Sequence, residues 1–164
     1  MAIKKTPRGF ALLIAIIFMS VMLSFGLTLS SLGYKQELLS SSVAQSRVAF
    51  YAADSMLECV LYMDQQLGTF AYPSVDPGAP PSMSSCGDGA VISPAETWYM
   101  NKWVVSGRFS LDDGAHCADF MVSKPDPGVS GGVTYLYSQG YDVSCSSVGL
   151  NNVRFASRGI TAHY

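Results

Sequence analysis

Between Arg8 and Lys35 the chain carries no charged side chain, and from Phe10 to Leu32 it reads FALLIAIIFMSVMLSFGLTLSSL, a run of 23 residues. Wound as a helix, that run extends about 35 Å and outlasts the roughly 30 Å of hydrocarbon in a bilayer. Lys4, Lys5 and Arg8 sit on one flank. The positive-inside rule therefore puts the start of the chain in the cytoplasm and Lys35 onward outside. A cleaved secretory signal is a poorer account, because its apolar core is about 7–15 residues long and ends in a small-residue cleavage site. Here the run is longer, and Ser30-Ser-Leu-Gly33 is a weak substitute for such a site. A plain single-pass anchor stays open.

With 164 residues there is room for one folded domain and an appendage, not for two full domains. Charged residues make up 13% of the chain, where about 25% is usual. From Lys35 onward seven basic residues face twelve acidic ones, which speaks against a phosphate-binding surface and makes nucleic acid an unexpected partner. Aromatic residues at 12% and a positive mean hydropathy speak against intrinsic disorder.

No proline occurs from Gly9 to Tyr72, so helix can continue past the apolar run. The stretch Tyr34 to Gln66 is helix-compatible, and Val43, Phe50, Leu57 and Leu61 recur at seven and four, a stripe expected to lie on a sheet. Together these segments predict one rod of about 57 residues and 85 Å, with Gly68 as its stop. Small residues recur four apart at Ala11/Ala15, Ser20/Ser24 and Gly26/Ser30, a spacing that lets helices approach closely. Gly26 and Gly33 are its weak points. Further along, the alanines around Phe50 allow close apposition to a head, while Arg47, Asp54 and Glu58 mark a wet edge. Glu58 stands four residues beyond Asp54, a mildly unfavourable like-charge spacing that a cation from another subunit would relieve.

Tyr72 to Pro94 is rich in proline, glycine and serine and reads as a loop with at most a short strand at Ala90–Ser93. Four strands are expected downstream, at Trp103–Leu111, Cys117–Lys124, Val133–Asp142 and Arg154–Tyr164. Their short connections predict an antiparallel meander. Ala118, Phe120 and Val122 alternate with Asp119, Met121 and Ser123, so one face should be buried against the helix. The fold class is α+β: a long N-terminal helix, half membrane-spanning and half amphipathic, on a C-terminal antiparallel sheet. Four cysteines, at 59, 86, 117 and 145, lie beyond the apolar run and suggest two disulfides. Cys59–Cys86 with Cys117–Cys145 is the favoured pairing, the first pinning the loop to the helix and the second tying two strands; Cys59–Cys145 with Cys86–Cys117 is the alternative.

The junction Arg8-Gly9-Phe10, a short basic leader closed by glycine before an aromatic-led apolar helix, resembles the processing site of type IV prepilins. The segment Ser46-Arg-Val-Ala-Phe-Tyr-Ala-Ala-Asp-Ser-Met-Leu-Glu-Cys59 is similar to the N-terminal region of PilX-type minor pilins, and the likeness runs from Gly9 to Gln66. Gly140-Tyr-Asp-Val-Ser-Cys145 and the closing strand also look pilin-like. The resemblance implies that a membrane-embedded prepilin peptidase cuts after Gly9 and N-methylates Phe10. A bare glycine backbone suits a narrow cleft, and Pro7 keeps the leader extended. It further implies helix–helix packing with other pilin subunits, through Ala11, Ala15, Ser20, Ser24, Gly26 and Ser30, driven indirectly by an assembly platform and a motor ATPase. Its map is a leader at 1–9, a transmembrane and assembly helix at 10–33, an amphipathic half at 34–67, a variable loop at 68–95 and an antiparallel head at 96–164. Location follows: inner membrane first, with the head outside, and a cell-surface filament afterwards. One departure stands out. Most pilins carry glutamate at the fifth mature position, here Ile14; its absence resembles PilX-type minor pilins and K-type pseudopilins and points to a tip or priming role.

No catalytic constellation is expected, and no cofactor. His116 and Cys117 are neighbours on alternating faces, His163 is a strand residue, and no phosphate loop, HExxH or Gly-x-Ser-x-Gly motif occurs. No metal is expected either: there is no CxxC pair, and turn chemistry explains Asp112-Asp113 and the Asp-Pro-Gly turns without calcium. The competing function is a membrane-anchored extracellular adhesin or ligand-binding domain, with Trp98, Trp103 and Tyr135/Tyr137/Tyr141 as its face. Those aromatics are also natural core residues.

Overall fold

Nothing in the chain between Pro7 and Pro73 removes a helical donor, and the helix uses nearly all of that stretch. The computed structural model describes residues 8–73, 81, 83, 86, 90–99 and 101–164, with backbone alone at 8–9 and 90–94. Helix α1 covers Arg8–Gln65. It ends where Gly68 takes φ +61° and the Thr69 amide returns to the Met63 carbonyl at 3.0 Å, a left-handed stop that glycine enters without steric cost. The chain divides into two compact units, 1–41 and 42–164. In the first, every side chain from Phe10 to Ser41 is exposed.

The second unit holds a five-stranded antiparallel sheet in the order β1-β2-β3-β4-β5. Its strands are β1 Ala90–Tyr99, β2 Lys102–Leu111, β3 His116–Pro125, β4 Tyr135–Tyr141 and β5 Ser157–His163. Left-handed Asn101, Asp112 and Asp113 turn the chain between the first three strands, a conformation that short polar side chains tolerate. In the β3–β4 connection Asp126 accepts a bond from the Gly128 amide at 2.8 Å, and after β4 Asp142 accepts one from Ala156 at 2.7 Å.

β1 corrects the sequence expectation: a full strand crosses what reads as loop. Ile92 pairs with Arg108 and Ala95 with Ser106, so β1 carries one residue more than β2 across that interval. This bulge contains Pro94. On an edge strand a missing N–H breaks no ladder, and a bulge accommodates the ring.

The helix face against the sheet also differs from expectation. Ala49, Ala52, Ala53, Met56, Val60 and Met63 are buried, whereas Val43 and Phe50 are 52% and 46% exposed and Leu57 and Leu61 are only partly covered. The reason lies in β4. A Cβ on Gly140 would fall inside the van der Waals envelopes of the Ala49 carbonyl oxygen and the Ala53 amide nitrogen. Helix backbone and strand backbone touch there, and only short side chains can line such a contact. Beyond it Met56, Val60, Met63 and Phe70 meet Trp103, Val105, Phe109, Phe120, Val122 and Leu136 in one core. The Phe120 ring occupies the space above Gly107.

Two polar clusters bracket this core. At the end of α1, Asp64 pairs with Lys124 at 2.6 Å and accepts the Tyr164 hydroxyl. A carboxylate in the last turn opposes the helix dipole, and the half-buried lysine offsets it. Burial and donation to Asp64 push the Tyr164 phenol above its ordinary pKa. On the far side of the sheet Arg108 clamps Asp119 through two bonds of 2.6 and 2.9 Å, and Tyr141 donates to the same carboxylate at 2.9 Å. Burial, then the bond to Asp119, pushes Tyr141 up to about 12.

Cys59 is bonded to Cys86, and Cys117 to Cys145, with Cα separations of 5.9 and 4.8 Å. The second bridge joins β3 to the segment after β4 rather than two strands. Each closes a loop worth about 3–4 kcal/mol in the chain-entropy account.

Three outcomes follow for the chain in detergent micelles. Gly140→Ala lowers thermal stability by about 2–3 kcal/mol, since the clash is with backbone and cannot be relieved by a rotamer; an unchanged melting curve would contradict the contact. Lys124→Met alone strands a buried carboxylate and costs about 3–5 kcal/mol, while adding Asp64→Asn recovers much of it. Tyr141 holds its proton more tightly in the folded state. Its contribution is therefore intact below the free-tyrosine value near 10 and fades as pH rises toward about 12. Tyr141→Phe should flatten that part of the alkaline stability profile.

Candidate functional site

The feature with chemical consequence in the first unit is the apolar half of α1. Among the described residues α1 is the one helix long and apolar enough to cross a membrane, and none of its most apolar stretch is buried within the chain. Phe10, Leu12, Leu13, Ile16, Ile17 and Phe18 are each more than half exposed. Such a surface is stable in lipid or against other apolar helices and unstable in water.

Four of its hydroxyls bond back to the helix. Ser20 donates to the Ile17 carbonyl at 2.8 Å, Ser24 to Ser20 at 2.9 Å, Thr28 to Phe25 at 2.9 Å, and Ser31 to Thr28 at 2.9 Å. Bonding back to the helix removes the cost of carrying a hydroxyl through hydrocarbon. Ser20, Ser24 and Thr28 share one open groove of about 290 Å³ with Val21 and Phe25. At 100° per residue, Ser20 points about half a turn from Ala11, so Ala11/Ala15 and Ser20/Ser24 occupy opposite sides of the helix, while Gly26 returns to within about 20° of Ala15. The small residues do not form one seam. Thr28 extends the serine line by its own spacing of four, a signal present in the sequence.

Gly9 and Phe10 stand in the first turn of α1, whose amides have no intrahelical acceptor and which contains no acidic residue. Arg8 is the first helical residue, while Lys4 and Lys5 lie outside the described residues. Ile14 is apolar and 51% exposed.

In the head, the aromatic residues considered as one binding face are split by the sheet. Trp103 is 3% exposed and donates to Glu96 at 3.1 Å on the helix side, and Trp98 packs edge-on against Tyr72. Tyr135, Tyr137 and Tyr141 alternate onto the other side. There Tyr141 is buried and Tyr135 is exposed, beside the His163 ring at 6.1 Å and under the Lys102 ammonium at 5.4 Å. His116 bonds Asp112 at 2.8 Å, away from any nucleophile, since Cys117 is held in its disulfide. Among the described residues no cluster of histidine, cysteine and carboxylate is arranged to hold a metal.

One further surface lies where α1 meets β5. Arg158 donates from Nε to the Ser46 hydroxyl at 2.7 Å, and an open groove of about 340 Å³ runs between Val43, Arg47, Phe50, Tyr51 and Arg158. Arg47 is already legible as a wet-edge residue. Arg158 is not, because its partner is 112 residues away. Compared with known proteins, the chain matches no family model, no curated protein and no solved structure.

Proposed function

We propose that this chain is a structural subunit of a type IV pilus or pilus-like filament, cut after Gly9 and assembled through the helix that begins at Phe10. The observation carrying this reading is the exposed, charge-free run from Phe10 to Leu32, with Ser20, Ser24, Thr28 and Ser31 bonded back to the helix. That surface is at home in lipid, and it is equally at home among sister helices, so transfer from one to the other exchanges like for like. Two disulfides in the head suit an oxidising space outside the inner membrane. The partners are other pilin subunits, a prepilin peptidase and, at one remove, an assembly platform and a motor ATPase. No enzyme activity, cofactor or nucleic-acid partner belongs to this reading.

Ile14 refines it. A carboxylate at that place could pair with a neighbour's terminal amine, and an isoleucine cannot. By analogy with pilins that lack this acid, the subunit serves at the tip or in priming. A second reading, a membrane-anchored adhesin, draws on exposed Tyr135 with Lys102 and His163.

The mature N-terminus decides between them. Mass analysis of protein from cells with a prepilin peptidase should find a chain starting at methylated Phe10, and Gly9→Leu should accumulate as a precursor nine residues longer. Recovery of intact Met1 from peptidase-positive cells would overturn the filament reading and favour the anchor.

A further inference from the structure

A sheet whose strands lie in sequential order has two edges, and this one treats them differently. β1 is interrupted by the bulge at Pro94, a device that keeps foreign strands off an edge. β5 has no such guard. It runs in unbroken register on β4, from His163 opposite Tyr135 to Ser157 opposite Tyr141, without proline, lysine or bulge. Thr134 and Tyr164 exchange both backbone bonds, so by alternation Ala162, Ile160 and Arg158 also turn their amides and carbonyls toward β4. Those of Ser157, Gly159, Thr161 and His163 turn away from it, and among the described residues no strand meets them.

The groove beside α1 lies on the helix side of the same strand. Arg158 lines it together with Arg47, over an apolar floor of Val43, Phe50 and Tyr51 at 52%, 46% and 65% exposure. Among the described residues neither arginine makes an ion pair. A strand laid along β5 sends alternate side chains to that side, and a carboxylate opposite Arg158 is a favourable cross-strand partner for its guanidinium. Open ladder, unpaired cations and apolar floor are all within reach of one extended segment.

We propose that β5 accepts, as a sixth strand, an extended segment of another protein whose helix-side residues include a carboxylate and a bulky apolar group. Backbone bonds supply the affinity of such a contact and alternate side chains its selectivity. A second copy of this chain has no strand of that kind to give among the described residues. Its β2, β3 and β4 are paired on both sides, β1 is broken by its bulge, and β5 has no carboxylate to bring to Arg158. Edge and groove lie wholly within residues 42–164, so they serve a filament subunit and a plain anchor alike.

The test uses the full chain in detergent micelles and a labelled probe, the acetylated and amidated peptide Thr-Glu-Thr-Leu-Thr-Glu-Thr, whose pattern reads the same in either direction. Fluorescence anisotropy should show saturable binding that weakens with salt, and amide exchange should slow at Ser157, Gly159, Thr161 and His163. Lysine in place of both glutamates should weaken binding about tenfold, as should Arg158→Glu, and combining the two should recover most of it. N-methylation of one alternate set of peptide amides should abolish binding and of the other set leave it, because a single edge of the added strand faces β5. Thr161→Pro should also block the edge while leaving the melting curve unchanged, since that amide bonds nothing in β4. No saturable binding, indifference to charge reversal, equal effects of the two methylated sets, or exchange unchanged along β5 would each overturn strand addition. Exchange at those amides that slows with protein concentration alone, without peptide, would give the edge to a second copy and overturn the choice of partner.

Discussion

The fold turns on a contact without side chains. Where α1 crosses β4, Gly140 leaves no Cβ to separate strand backbone from the Ala49 carbonyl and the Ala53 amide. Every neighbouring choice is subordinate to that approach. Helix residues facing the sheet must be short at the crossing, hence three alanines, and can lengthen to methionine and valine only as the helix moves on toward Met63. Methionine, unbranched and adaptable, fills the widening gap over Phe109 and Phe120. Close packing at the crossing is thus what orients the helix about its own axis.

A helix held tightly at one crossing still needs its end fixed, and here polar groups take over. Asp64 is buried in the last turn, where the dipole disfavours an anion, yet it is met by Lys124 and by the hydroxyl of Tyr164. Tyr164 in turn exchanges both backbone bonds with Thr134, at 2.9 and 3.2 Å. The helix end, β3 and the end of β5 are joined through one carboxylate. Such a cluster adds little net stability over an apolar equivalent, but it penalises any rotation that breaks a single partner. Cys59–Cys86 adds a covalent tie from the same stretch of helix.

Much of this was legible from residue order, for physical reasons that can be named. The helix was visible because proline is absent and the stop is a glycine. β2, β3 and β4 were visible because apolar alternation at period two is a local signal. Two features were not. β1 was hidden by Pro94, which is acceptable only because the strand is an edge and bulges there, and edge position is a property of the whole sheet. The buried helix face is hidden because bulk ordinarily marks burial, and Val43–Phe50–Leu57–Leu61 is the larger stripe. The contact that decides the matter depends on Gly140, far along the chain. Arg158 in the Arg47 groove is another nonlocal placement, invisible until β5 is laid beside α1.

That reversal of large and small bears on the function. Over residues 43–63 the helix has two apolar aspects: small or flexible residues against its own sheet, and Val43, Phe50, Tyr51 and Tyr62 facing away. A protein working alone outside the membrane gains by burying the bulkier set and exposing alanines, since burial is worth roughly 25 cal/mol per Å² of apolar surface. Here the sheet takes the alanines because the backbone contact requires them, and the larger residues are left for another surface. Their interleaving with Arg47, Asp54 and Glu58 keeps that surface soluble while unoccupied and makes it selective once a partner arrives, because an apolar face with fixed charges rejects any neighbour whose charges fall out of register.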